Sequence, residues 1–236
     1  NGENAQFWAQ YYNEPNSAED NRIGADKFQY FERKFVEVEN GTAYFREHGG
    51  KKKLNVFAAM DVAWTTSDRS DYTAIAVIGV DADGFIYVLD LDQFKTSNFS
   101  EYYERIQNLQ MQWGFKSIRI ESNAGGKLVA QEVQRLVRMN GGLLIVDPKH
   151  VTGHDGKKYE RHAAIAEPRY HTGTIFHYKG GYTSLLEEQI VLERPPHDDL
   201  LDALCGALEI SKPPAKRLEY ENVLPFQRAS RFGGRR

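Results

Sequence analysis

The sequence has few of the residues that fix a fold by covalent or metal cross-links. It contains a single cysteine, Cys205, inside an apolar stretch at 200–208. One cysteine excludes a disulfide framework and a cysteine-based zinc site, and it suits a reducing cytoplasm. The seven histidines are too scattered to predict a histidine zinc site. We therefore interpret Cys205 as a core residue.

Long apolar runs are also absent. No stretch approaches the roughly 18 uninterrupted apolar residues of a membrane-spanning helix, so we expect no membrane partner. Residues 1–4 lack a methionine and the basic and apolar regions of a signal peptide. We expect a segment cut from a longer protein. The hydrophobic fraction of 41% and charged fraction of 27% are typical of a globular domain.

Neither glycine-rich nucleotide-binding pattern is present, and Ala124-Gly125-Gly126-Lys127 predicts only a turn into a helix. The sequence therefore does not predict an ATPase. A formal net charge of −3 argues against binding nucleic acid by bulk charge, but it leaves local patches open. Residues 212–236 form a locally basic end.

The chain divides into three predicted parts: a connector at 1–53, a compact domain at 54–211 and a basic tail at 212–236. In the connector, an aromatic helix at 7–15 ends at a proline. Residues 28–38 are expected to pack on the main body as strand or extended chain. A turn is predicted at Asn40-Gly41, and a flexible basic hinge at 49–53.

The compact domain has the pattern of an α/β protein: a mixed five-stranded sheet flanked by helices. Three antiparallel strands come first, then helix, strand, helix and strand. The strands are predicted at 54–60, 72–80, 85–91, 117–120 and 143–146, and the intervening helices at 99–113 and 127–139. A long mobile loop at 147–160, a helix at 161–170, an edge strand at 174–177 and a helix at 183–192 follow.

Two acids follow strands of this predicted sheet. Asp61 ends the first strand and Glu121 ends the fourth. If these strands are adjacent and parallel, their carboxyl ends meet at one edge of the sheet, where ligand sites form in open α/β folds. Taken singly, Asp61 is more often a turn or cap residue, and Glu121 could pair with a lysine.

A third group of acids opens the last helix at 195–208. Asp202 lies about one turn inside it between apolar residues, where an ionised carboxylate is costly unless a cation or donors meet it. Asp198 and Asp199 could cap the helix, and either could share a face with Asp202. His197 could contact a phosphate, a water or a metal, although a solvated histidine before a helix is commoner.

A cluster of Asp61, Glu121 and Asp202 needs a hard cation, because like charges this close disfavour ionisation. Oxygen ligands suit Mg²⁺ or Mn²⁺. Two such ions would support phosphodiester hydrolysis without a covalent protein intermediate.

These motifs together resemble the C-terminal nuclease domain of tailed-phage large terminase subunits. The residues that carry the resemblance, over about 54–211, are Asp61, Ser70-Asp71-Tyr72-Thr73-Ala74-Ile75, Ile120-Glu121-Ser122-Asn123 with a following Gly-Gly, and His197-Asp198-Asp199-Leu200-Leu201-Asp202-Ala203-Leu204. Phe7-Trp8-Ala9-Gln10-Tyr11 resembles the linker after the ATPase part of that family. Many members have Asp where this chain has Glu121.

The resemblance implies an RNase H-like fold and a two-metal endonuclease that cuts concatemeric viral double-stranded DNA during packaging. Asp61, Glu121 and the His197–Asp202 group match its catalytic positions. Lys157, Lys158 and Arg161 fall where the family faces DNA. The basic tail could touch DNA, the portal or the small subunit, with other motor subunits as partners of the full protein. Solvated surface is the simpler reading of both basic regions. We expect a location in the host cell cytoplasm and not in the mature virion.

Two alternatives remain open from the residues. One is another RNase H-like nuclease, such as a junction resolvase or recombinase, which would favour branched DNA. The other is a non-catalytic docking or DNA-clamping module of the packaging motor, which the negative net charge allows. Intact carboxylates argue against the second.

Overall fold

The computed structural model describes residues 23–47, 50–63, 72–121, 126–149, 155–192 and 195–216; for 155–159 it describes the backbone alone. The strands in these ranges are β1 (Gln29–Tyr30), β2 (Val36–Glu39), β3 (Thr42–Glu47), β4 (Gly50–Asp61), β5 (Thr73–Val80), β6 (Ile86–Phe94), β7 (Ser117–Glu121), β8 (Ile145–Lys149) and β9 (Ile175–His177). The α-helices are α1 (Phe99–Trp113), α2 (Gly126–Met139), α3 (Asp155–His171), α4 (Thr183–Val191) and α5 (Asp199–Ile210).

Strand β4 is the branch point of the sheet. Along one edge it pairs antiparallel with β5, which leads to β6, β9 and β1. Along the other edge its first half pairs antiparallel with β3, and residues 58–61 pair in parallel with β7, which leads to β8. The central strands therefore run in the order β6-β5-β4-β7-β8. This order brings the carboxyl ends of β4 and β7 side by side.

The core lies where helix α5 covers β4 and β5. All eight residues of β5 are buried, as expected for a strand covered on both faces. Helix α5 is buried from Asp199 to Leu208 and contacts β4, β5, β7, α3 and α4. An apolar run such as Leu200–Leu208 is typical of a helix enclosed by other elements. Cys205 is fully buried there, as predicted, and burial raises the pKa of its thiol.

The five predicted strands and their order are confirmed by β4 to β8, and the predicted helices by α1, α2 and α4. The turn at 81–84 is present, with Asp81 Oδ1 accepting from the backbone N–H groups of Asp83 and Phe85 at 2.9 Å each. Asn40 and Gly41 have positive φ in the β2–β3 hairpin, which also agrees with the sequence. The edge strand predicted near 174–177 is β9.

The predicted hinge at 49–53 is wrong from Gly50 onward, since these residues begin β4. Three consecutive lysines indicated exposed, flexible chain, but two of them have acidic partners: Lys51 Nζ lies 2.6 Å from Glu39 Oε2, and Lys52 Nζ lies 3.3 Å from Asp81 Oδ2. Phe31 and Phe45, from the predicted connector, lie in the same core as β5. The predicted boundary after Lys53 therefore falls inside a strand.

The long loop predicted at 147–160 is wrong at both ends. Strand β8 continues through Pro148 to Lys149, and helix α3 already begins at Asp155. Pro148 is tolerated because β8 is an edge strand: among the described residues it pairs with β7 alone. An edge strand can accommodate a residue without a backbone N–H. The predicted helix at 7–15, most of the tail and residues 150–154 lie outside the described residues.

Helix α5 approaches the sheet closely at Gly206. A Cβ added there would lie 3.1 Å from Ala59 Cβ and 3.5 Å from Glu121 Oε1. The first distance is shorter than ordinary van der Waals contact, and Ala59 is fully buried in β4. Glycine at this position lets the helix lie against β4 beside Glu121.

Gly206→Ala is expected to lower the free energy of unfolding by about 1–2 kcal/mol, because overpacking outweighs the gain in helix propensity, about 1 kcal/mol. Urea unfolding followed by circular dichroism measures this. The double variant with Ala59→Gly should recover part of the loss by making room. A single variant more stable than the parent chain would show that the helix has space to move.

Candidate functional site

Asp61 and Glu121 are direct neighbours across two parallel strands. They are register partners at the ends of β4 and β7, following Met60 and Ile120. Each acid is the last residue of its strand and follows a fully buried residue, Met60 in β4 and Ile120 in β7. Glu121 is 6% exposed and Asp61 is half-buried. The structure thus brings together these two predicted acids.

Helix α5 brings the third acid to the same place through an arginine. Arg161, on α3, donates to both oxygens of Glu121, at 2.6 Å to Oε1 and 3.3 Å to Oε2. Its Nη2 also lies 3.8 Å from Asp202 Oδ1. The same Asp202 oxygen lies 2.6 Å from His162 Nε2. Glu121 and Asp202 therefore share one guanidinium, and Asp202 is also oriented by an imidazole.

The charges of this group are strongly coupled. Burial raises the pKa of Glu121, Arg161 opposes that rise, and Asp202 adds to it. For Arg161, burial disfavours the charge, but Glu121, Asp202 and Glu209 outweigh it and raise the guanidinium pKa. The site is an acidic cluster neutralised in part by a firmly charged arginine.

Glu209, also on α5, adds a further carboxylate to this charged group. It pairs with Lys149 and with Arg119 Nη1 at 3.0 Å, and its Oε1 lies 3.5 Å from Arg161 Nε. Sequence reasoning missed Glu209 and His162. A signal for Glu209 was available, since Asp202, Gly206 and Glu209 are spaced i, i+4 and i+7 and so share a helix face.

Two of the other residues predicted at the start of α5, Asp199 and His197, contact Tyr72, the residue before β5. Asp199 is buried, and its Oδ2 accepts from the Tyr72 backbone N–H at 3.3 Å. His197 packs edge-on against the Tyr72 ring, with centroids 5.4 Å apart. Asp198 is the residue before the first turn; its backbone oxygen accepts from Asp202 N–H, and its side chain makes no capping hydrogen bond.

The donor chemistry of Asp61, Glu121 and Asp202 fits a hard divalent ion, because all three offer carboxylate oxygens. In this structure the cation beside Glu121 and Asp202 is the guanidinium of Arg161. Within the described ranges, no group of three or more His, Cys, Asp or Glu side chains is gathered closely enough to hold a metal ion. The guanidinium of Arg161 contacts the two acids on which a metal would depend.

The three basic residues predicted to face DNA all belong to α3. Lys157 and Lys158 lie in its first part, where the backbone alone is described. Arg161 turns its guanidinium toward Glu121, and its side chain is 17% exposed.

In the described part of the chain, no helix is both long and apolar enough to cross a membrane.

Residues 58–172 match the sequence family described as the terminase RNase H-like domain. The matched range includes Asp61, Glu121 and Arg161, and it ends before Asp202. The resemblance found in the sequence is therefore confirmed. No curated protein matches the chain.

Solved structures with a similar fold include phage terminase nucleases. The large terminase nuclease from thermophilic phage G20c is 12% identical, with a TM-score of 0.53, covering 79% of this chain and 96% of that one. A structure of the same nuclease with bound magnesium is 14% identical, with a TM-score of 0.54, covering 80% and 97%. At these identities the likeness establishes the RNase H-like fold.

Asp199 can be tested for its contact with β5. Asp199→Ala is expected to lower the free energy of unfolding by about 1–3 kcal/mol, because it removes a buried acceptor from Tyr72 N–H. Asp199→Asn keeps an acceptor and should stay within about 1 kcal/mol of the parent. Thermal unfolding of both variants measures the difference. Equal losses would contradict a role for this hydrogen bond.

Proposed function

We propose that the chain is a metal-dependent endonuclease that cuts concatemeric viral double-stranded DNA during genome packaging. The observation that carries the proposal is the meeting of three acids: Asp61 and Glu121 in register, and Asp202 joined to Glu121 through Arg161. The family match and the magnesium-bound neighbour support it.

Asp61, Glu121 and Asp202 would hold two Mg²⁺ or Mn²⁺ ions, assisted by Asp198 or Asp199. Bound there, the ions would activate a water and stabilise the leaving oxygen of a phosphodiester. Asp199 Oδ2 accepts from Tyr72 N–H, and Asp198 is half-buried at the helix start.

The protein's own groups prepare the site for that chemistry. His162 fixes the orientation of Asp202, as partners of metal-binding carboxylates commonly do. Met60 and Ile120, which directly precede Asp61 and Glu121, are fully buried and so anchor the ends of both strands in the core. His197, beside Tyr72, is proposed to contact the scissile phosphate or position a water.

DNA would be held mainly through phosphates, with little reading of bases. Lys157 and Lys158 on α3 are proposed phosphate contacts, and the basic tail at 212–236 a further contact for DNA, the portal or the small subunit. The proposed setting is the host cell cytoplasm, within a longer packaging protein.

Metal-dependent cleavage of plasmid DNA tests the site. Asp61→Ala, Glu121→Ala and Asp202→Ala should each reduce the cleavage rate in Mn²⁺ or Mg²⁺ by at least about a hundredfold, because metal ions contribute several kcal/mol to the barrier reduction. Asp26→Ala is the control, since Asp26 lies on the surface with its side chain 72% exposed.

Three outcomes would contradict parts of this proposal. Full activity in the three acid variants would overturn the assignment of the site. Preference for branched over linear duplex DNA would indicate a resolvase-type nuclease. No cleavage by the parent chain with either metal, together with retained DNA binding, would indicate a docking or clamping module.

The proposed DNA contacts predict a salt effect. Replacing Lys157 and Lys158 together with Gln should weaken DNA binding and reduce the slope of log K against log [salt] by about 1.8, because two phosphate contacts are lost. Fluorescence anisotropy at several salt concentrations measures the slope. The control replaces Lys27 and Lys34, whose side chains are 42% and 69% exposed. An equal change in the control would indicate a general charge effect.

A further inference from the structure

Arg161 occupies the position in which the proposed nuclease needs a metal. We propose that Arg161 is an internal counter-ion that holds Glu121 and Asp202 together in the metal-free protein and must leave them before a divalent ion binds. It would thereby set the metal concentration at which the site fills. This inference rests on the proposed function, because it assumes that these acids are metal ligands.

The geometry of Arg161 is that of a substitute cation. Its two terminal nitrogens donate to the two oxygens of Glu121, so the carboxylate is bound on both sides. The fork shape of arginine matches a carboxylate in this way, and such bonds use the lone pairs that a metal requires. Asp202, 3.8 Å away, lies within the field of the same charge.

Burial makes the competition strong. Glu121 and Asp202 have side chains 7% and 4% exposed, so water screens their interaction with Arg161 only weakly. Two buried carboxylates without a cation would be unfavourable, and the arginine removes that penalty before metal arrives. A divalent ion approaching with Arg161 in place would meet a positive charge and occupied oxygens.

Glu209 offers the guanidinium a second acid. The Arg161 Nε atom is buried and lies 3.5 Å from Glu209 Oε1, yet it makes no hydrogen bond there. A small movement of the side chain toward Glu209 would exchange one carboxylate for another. Arg161 can therefore leave Glu121 without losing all of its charge compensation.

Arg119 provides a matched control within the same ionic group. It is also an arginine with a side chain 17% exposed, and it pairs with Glu209. Its other hydrogen bonds run to Asp147 Oδ2, at 3.0 Å and 2.9 Å. Arg119→Gln removes the same charge from the cluster without releasing Glu121 from its arginine.

The experiment is calorimetric titration of Mn²⁺ into the metal-stripped full chain and its variants. Arg161→Gln should bind Mn²⁺ about tenfold more tightly than the parent, because a nearby positive charge and its hydrogen bonds are removed. Arg161→Lys, which keeps the charge but loses the fork, should show a smaller gain. Arg119→Gln should change the affinity by less than about twofold.

Thermal unfolding supplies a second readout that does not depend on cleavage. In chelator, Arg161→Gln should melt below the parent, because Glu121 and Asp202 lose their counter-ion. Saturating Mn²⁺ should raise its Tm more than that of the parent. If Arg161→Gln does not fold, the Arg161→Lys titration decides, and parent-like affinity there overturns the inference.

The outcomes separate this inference from the proposed function. Equal Mn²⁺ affinity in the parent and Arg161→Gln, with cleavage by the parent, overturns the counter-ion role alone. An equal gain in Arg119→Gln also overturns it, because the effect would then be one of overall charge. Absence of Mn²⁺ binding in both the parent and Arg161→Gln overturns the counter-ion role and the proposed metal site together.

Discussion

Like charges buried at one point are the constraint on which the rest of this structure depends. Glu121 and Asp202 are both nearly inaccessible, and Asp61 lies in register beside Glu121. An arrangement of this kind is stable only with a cation or many donors. Helix α3 supplies Arg161 and His162 for that purpose. Its contact with α5 therefore includes an ion pair and a hydrogen bond to Asp202.

The same constraint explains why the elements meet so closely. Helix α5 carries Asp202, and Gly206 one turn later lets the helix approach Ala59 in β4. Strand β4 carries Asp61 and offers residues 58–61 to β7, which carries Glu121. Each acid therefore stands on a regular element with a buried neighbour. Such support holds a site more firmly than loops would.

The sequence predicted the central sheet and the place of its acids because both depend on local patterns. Apolar runs of strand length marked β4 to β8, and a carboxylate directly after such a run marks a strand end. The helix between β6 and β7 permitted the parallel pairing of β4 and β7, which the structure shows. Asp202 was identifiable because it lies among apolar residues.

The partners of the acids were not predictable in the same way. Arg161 and His162 meet Glu121 and Asp202 across 40 residues of chain, and a basic residue in a polar segment indicates exposure as readily as an ion pair. The lysines at the start of β4 led to the wrong prediction of a hinge for a related reason. Lys51 pairs with Glu39 on β2 and Lys52 with Asp81 in the β5–β6 turn, and only the tertiary structure brings these residues together.

The contacts of strand β4 extend beyond the family-matched range at both ends. Its first half is covered by the β2–β3 hairpin, whose Phe45 stacks on Tyr87 of β6 with ring centroids 4.6 Å apart. Its last residues face α5, which begins well after the family-matched range ends at 172. The buried core therefore extends beyond that range in both directions, from Ile23 to Leu208.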